Sequence, residues 1–194
     1  MSGTYPTSPV FQEVDFRSVH YNVTSETQSG RTQVRNLGGQ RWEFSAKYSV
    51  LLRSDFQPVH AFILKQRGML ETFQIALPQI SKQTGSASGT ILVNGAHSVG
   101  DTTIAVDGMT GTFKAGDVIK FAHSKVYMIT DDVTASAGAA TVSIQPPLVA
   151  ALADNEAVTY DDVEFTVRLN NDVQEYALMS ASRVTFEVDF IEAV

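Results

Sequence analysis

Four histidines, at positions 20, 60, 97 and 123, come first, because imidazole is the commonest metal ligand and the usual proton carrier near neutral pH. Their spacing gives no His-x-x-x-His face to hold a cation, so the sequence assigns no metal. His60 falls on an expected helix, where a partly exposed histidine is the simpler reading. The carboxylate pairs Asp131-Asp132 and Asp161-Asp162 are the next candidates. Adjacent residues of a strand point to opposite faces, so neither pair is preset as an acid/base dyad. Turn chemistry accounts for both. There is no Gly-x-Ser-x-Gly elbow, phosphate loop or dinucleotide fingerprint. With no cysteine, disulfide scaffolds and thiolate metal sites are excluded, and a reducing compartment is expected. Asn22-Val23-Thr24 formally matches a glycosylation acceptor, but no secretory signal accompanies it. The expectation is a protein that is not an enzyme, without catalytic residues, cofactor or metal.

The remaining chemistry is recognition. Arg31, Arg35 and Arg41 lie close together in a turn-rich stretch and are expected to be exposed. The formal net charge of −7 disfavours a nucleic-acid partner, since phosphate neutralisation needs a clustered basic surface. Its distribution is uneven. Residues 1–87 carry nine Lys/Arg against six Asp/Glu, residues 88–160 three against seven, and residues 161–194 two against eight. A basic first part and an acidic last part suit attraction between subunits. Arg31, Arg35 and Arg41 are therefore expected to meet Glu187, Asp189 or Glu192 of a neighbouring copy.

The elements that would carry these residues are mostly strands. Hydrophobic content of 43% with 18% charged residues is ordinary for a globular protein, and no apolar run approaches the ~18 residues of a membrane span. Strands are expected near Phe16–Thr24 and Arg31–Leu37, with a mobile loop at Ser25–Gly30. In "RWEFSAKYSVLL", Trp42, Phe44, Ala46, Tyr48, Val50 and Leu52 alternate onto one face, so Trp42 is expected in the core beside the strand bearing Phe186 and Val188. "SDFQPVHAFILKQRG" changes to a helical period. Ser54 or Asp55 would cap it, Pro58 would sit in its first turn, and Gly68 would mark its exit. "ETFQIALP" reads as a further strand.

"SKQTGSASG" (81–89) has linker composition. After it come the short strands "TILVNG", "TTIAVDG", "DVIKFA", "KVYMITDDV" and "ATVSIQPPL", spaced as in a compact barrel. Their own apolar set includes Ile91, Val93, Ile104, Val106, Val118, Val126, Met128, Val142 and Ile144. "DVEFTVRL" and "RVTFEVDFI" close the chain, too few strands to fold alone. The expected fold is mainly β: a β-sandwich-like domain with one helix, built from 1–87 plus 161–194. It is interrupted by an inserted small β-barrel, OB-like or similar, at 88–160.

The stretch "SGRTQVRNLGGQRWEFSAKYSVLLRSDFQPVHAFILKQRGMLETFQIALP" (29–78) resembles proteins encoded in the tail-gene modules of tailed bacteriophages. It shares a Gly-Gly-Gln-Arg-Trp turn and strand, a helix ending in Gln-Arg-Gly, and a Glu-Thr-Phe strand. "FKAGDVIKFAHSKVYMITDDVT" and the following "GAATVSIQPPL" (within 113–148) resemble small β-modules of phage structural proteins. The layout is similar to distal tail proteins. That resemblance implies a structural virion protein forming a hexameric ring that joins the tail tube to the tip or baseplate. Its partners would be its own copies, the tail tube and the hub, in a virion tail assembled in the host cytoplasm. The alternative it implies is a carbohydrate- or host-surface-binding module, with Tyr127 and Phe121 of the barrel as candidate contacts to a cell-surface glycan. A wall-degrading enzyme finds no acid/base arrangement here.

Overall fold

The computed structural model describes residues 2–179 and 182–194. It is mainly β with one helix, α1 (Arg53–Lys65). The strands of the first and last parts are β1 (Glu13–Val19), β2 (Asn22–Glu26), β3 (Thr32–Asn36), β4 (Arg41–Lys47), β5 (Leu51–Leu52) and β6 (Phe73–Ala76), then β14 (Glu164–Leu169), β15 (Tyr176–Met179) and β16 (Arg183–Glu192). Between them lie β7 (Leu92–Val93), β8 (Thr103–Asp107), β9 (Thr112–Phe113), β10 (Val118–Lys120), β11 (Val126–Ile129), β12 (Val133–Thr134) and β13 (Ala139–Gln145).

The main sheet runs β1-β4-β16-β14-β6, with β5 and β15 also paired to β16. Two sheet neighbours, β4 and β16, are thus more than a hundred residues apart in sequence. Register explains its two faces. Phe16, Phe44 and Phe190 stand abreast, as do Val14, Ala46 and Val188, and these rows enter the core. Asp15, Ser45 and Asp189 form the alternate row, beside Glu13, Lys47 and Glu187, and these point outward. The alternation expected from Trp42 to Leu52 holds through Tyr48 and then shifts. Val50 and Leu52 are exposed while Leu51 is buried, because β4 ends at Lys47 and the chain bends before β5.

Helix α1 covers the core with Phe56, Val59 and Ile63. Its N-cap is Leu52, without a side-chain cap, so Ser54 and Asp55 lie inside the first turn rather than before it. There Asp55 still favours the positive end of the helix dipole. Pro58 consequently sits deeper than expected, within the helix. Gly68, at φ +66°, ends the segment, and a Cβ there would fall 2.3 Å from Asp172 Oδ1. That carboxylate accepts the Met69 N–H at 2.9 Å, so the glycine is required by close approach as well as by φ.

Strands β10-β11-β13-β8-β7 form a second sheet, and β9 pairs β12. They enclose a separate cluster with Ile104, Phe113, Ile119, Tyr127, Val142 and Ile144 at its centre. Val118 and Val126, expected in this cluster, belong to the other, and Met128 packs against it. The pairing shows why. Val118 faces Met128 and Ile119 faces Tyr127, so period two sends Ile119 and Tyr127 into the half-barrel and Val118, Val126 and Met128 to its outside. The main-sheet core covers that outer face.

The remaining ribbon is β2 with β3, and all ten of its strand residues are exposed. The single strand expected near Phe16–Thr24 divides at His20-Tyr21 into β1, within the sheet, and β2, within this ribbon. No helix among the described residues is long and apolar enough to cross a membrane.

Candidate assembly surfaces

Arg31 and Arg35 belong to the ribbon. Thr27 closes its turn, with its N–H donating to the Arg31 carbonyl at 2.9 Å and its carbonyl accepting the Gly30 N–H at 2.9 Å. Arg35 lies on β3 opposite Val23, and Val23 and Val34 expose 51% and 62% of their surface. Arg41 begins β4 opposite Val19 and is also exposed. None of the three arginines makes an ion pair with another described residue at up to 4.0 Å. Two stand on a ribbon that buries nothing of its own chain, and the third stands at the nearby sheet margin.

Glu187 and Asp189 are brought together on the outward face of the sheet. Lys47 is shared among Asp15 at 3.2 Å, Glu13 at 3.8 Å and Glu187 at 4.0 Å, and Ser45 Oγ donates to Glu187 Oε1 at 2.8 Å. Asp15, then its neighbouring carboxylates, hold the Lys47 ammonium above its ordinary pKa. Asp189 lines a shallow groove with Glu43, Arg17 and Asn170. Carboxylates outnumber cations on this face.

Glu192 is not on it. Its side chain is fully buried and forms an ion pair with Lys125, itself 0% exposed, at 2.5 Å. The ammonium also donates to the Gln40 carbonyl at 2.8 Å and to Gln40 Oε1 at 2.7 Å, so all three of its donors are used. Glu192 further accepts the Val126 N–H at 3.0 Å and the Trp42 N–H at 3.2 Å. The expected contact of Glu192 with a neighbouring copy is therefore corrected: its carboxylate is enclosed inside the chain. Burial lowers the Lys125 pKa, against the opposing pull of Glu192. Period two from Val184 to Phe190 places Glu192 on the core row, and this was the sequence signal for its burial.

Trp42 is buried as expected, and its strand pairs with β16, the strand bearing Phe186 and Val188, with the indole at the Glu192 end. Phe44 faces Phe190, which places Trp42 beyond it, at the end of the strand pair next to the second sheet. There it stacks on Phe16 with ring centroids 4.8 Å apart, and its Nε1–H donates to the Val126 carbonyl at 2.8 Å. Trp42, Lys125, Gln40 and Glu192 thus tie the β10–β11 hairpin to the main sheet.

Tyr127 and Phe121 fill the half-barrel at 0% and 3% exposure, and the Tyr127 hydroxyl accepts the Val149 N–H at 3.0 Å. Neither offers a face for sugar stacking. The histidines lie apart: His20 beside Ser18, His60 against Phe56 and Tyr176, His97 beside Asp101, and His123 beside Tyr127. No group of three or more possible metal-holding residues occurs among those described. Asp132 accepts from Lys114 Nζ at 2.6 Å and from the Ala115 N–H at 2.9 Å. These hydrogen bonds, that from Lys114 foremost, hold its carboxyl below the ordinary range, and they are turn interactions. Asp162 lies 3.7 Å from Lys82.

Residues 79–163 match the family model described as "Distal tail protein pb9, B domain". The chain resembles a phage distal tail protein. The matched segment holds the whole second sheet and its core, together with Lys125 and the hairpin that docks on the main sheet. The similarity to this distal-tail domain supports a structural role in a phage tail. Comparison with curated proteins gives no match.

Proposed function

We propose that the chain is a ring-forming structural protein at the distal end of a phage tail, six copies joining the tail tube to the tip or baseplate. The observation that carries this reading is the match of 79–163 to a distal tail protein domain. In this reading 1–87 plus 161–194 form the ring-building domain and 88–160 form the inserted one. A closed ring needs heterologous contact, one surface meeting a different surface of the next subunit. The exposed ribbon with Arg31 and Arg35, together with Arg41, supplies the first surface. The outward sheet face with Glu187 and Asp189 supplies the second. The two differ in sign, which favours encounter in one orientation. The absence of cysteine suits assembly in a reducing host cytoplasm.

Sedimentation of the purified chain over a range of concentration and salt tests this. The expected result is a discrete oligomer that loses mass as salt rises, because exposed pairs are screened over ~10 Å at 0.1 M. A monomer at every concentration, alone and with tail-tube protein added, contradicts it.

A further inference from the structure

A cleft of about 390 Å³ opens where the inserted segment meets the β6–β14 edge of the main sheet. Gln74, Thr166 and Arg168 line it from the sheet, and Lys120, His123 and Ser124 from the other side. Arg168 is half-buried, and its side chain makes no hydrogen bond or ion pair with the described residues. Lys120 donates one hydrogen bond, to the Glu164 carbonyl at 2.9 Å, leaving two of its three donors. His123 Nδ1 is buried without a hydrogen-bond partner. Two cationic groups with unfilled donor capacity, Arg168 and Lys120, therefore meet at one cleft, and none of its lining residues is Asp or Glu, the nearest carboxylates acting on Lys120 being Glu164 and Glu192.

The donor set selects the ligand. A guanidinium presents parallel N–H groups matched to a phosphate or carboxylate, and an ammonium adds a point charge. Ser124, Thr166 and Gln74 can exchange hydrogen bonds with hydroxyls. The volume exceeds that of a bare anion and lies in the range of small-ligand sites. No aromatic ring other than the imidazole lines the cleft, so a neutral sugar has little to stack on. We propose that this cleft binds an anionic polyol, a phosphate or carboxylate group carried on a short hydroxylated chain or ring. Arg168 and Lys120 hold the anion, while Ser124, Thr166 and Gln74 hold the hydroxyls. The Lys120 ammonium is held below its ordinary pKa by burial, against the pull of Glu164 and Glu192, and a bound anion would pull it back up. The site uses none of the residues assigned to the ring, so it stands or falls separately.

Calorimetric titration of the full chain tests it, with glycerol 1-phosphate, glucuronate, inorganic phosphate and glycerol as separate probes. Glycerol 1-phosphate or glucuronate should bind, and the one that binds tighter identifies the source of the anion. Glycerol should not. Arg168→Gln should weaken binding about tenfold or more while leaving the melting temperature unchanged, as loss of one charge-assisted contact requires. A parallel readout, independent of how the variant folds, is the His123 imidazole resonance of the unsubstituted chain, which should shift on addition of glycerol 1-phosphate or glucuronate. Equal affinity for glycerol and its phosphate, no binding of any anionic probe, or full affinity in folded Arg168→Gln each overturns the proposal.

Discussion

At the level of single residues, the most constrained group is Trp42 with Lys125 and Glu192. A buried ion pair adds little net stability compared with a well-packed apolar pair, but removing one partner strands the other in low dielectric. Lys125→Met alone should therefore destabilise by about 3–5 kcal/mol, and Glu192→Leu alone by a similar amount. The double variant should recover most of that loss in chemical denaturation; additive losses would show that the pair is not coupled. Trp42→Ala should cost about 3–5 kcal/mol, as large-to-small core changes do, whereas a loss under about 1 kcal/mol would place the indole outside the core. His123 adds a pH dependence. Burial lowers its pKa, with Glu156 opposing and Lys120 reinforcing the shift. The unfolded chain therefore binds the proton first, and this contribution to stability falls as pH drops from the ordinary histidine value through the lowered one. His123→Gln should flatten that slope in melts taken across the window. An unchanged slope would assign the dependence to other groups. The period-two pattern of the closing strand made the burial of Glu192 legible, but its partner was not. Lys125 and Glu192 lie 67 positions apart, and only the docking of the β10–β11 hairpin on the main sheet brings them together.

Elements were legible where one face is apolar. The long alternating runs of β4 and β16 and the helical period of α1 announce themselves because burial on one side imposes them. β15 carried no such mark: Tyr176, Ala177, Leu178 and Met179 are all exposed, and pairing with β16 rather than burial makes them a strand. β10 and β11 misled for the opposite reason. Both their faces are apolar because both are covered, one by each core, so periodicity alone could not say which residue enters which. The ribbon of β2 and β3 belongs at this scale too. A two-stranded hairpin with no buried residue is marginal alone. Arg31→Glu with Arg35→Glu should lower the oligomer's sedimenting mass without moving the monomer's melting point, since exposed substitutions usually change stability by less than about 0.5 kcal/mol. Each exposed ion pair contributes only ~0–1 kcal/mol, but the proposed ring would repeat it at every interface. Unchanged assembly at low and high salt would make the ribbon a solvated arm.

Across the whole molecule, two apolar clusters fold around two sheets and meet through Val118, Val126 and the enclosed Lys125–Glu192 pair. The 88–160 segment, in the proposed division an insertion, is docked on the main sheet as well as tethered to it. Residues 79–163 expressed alone should still melt cooperatively, because their central cluster is their own, and Lys125→Met should stabilise that fragment or leave it unchanged while destabilising the full chain. A featureless melt would mean that the segment depends on the main sheet to fold. The proposed place of the chain, at the distal end of the tail, can be seen by labelled imaging of the virions that carry it. With an epitope tag on an exposed turn of the inserted segment, electron microscopy should show label in a single band at the end of the tail tube farthest from the head. Label spread along the tube, on the head, or absent from intact virions would rule out a distal-tail position.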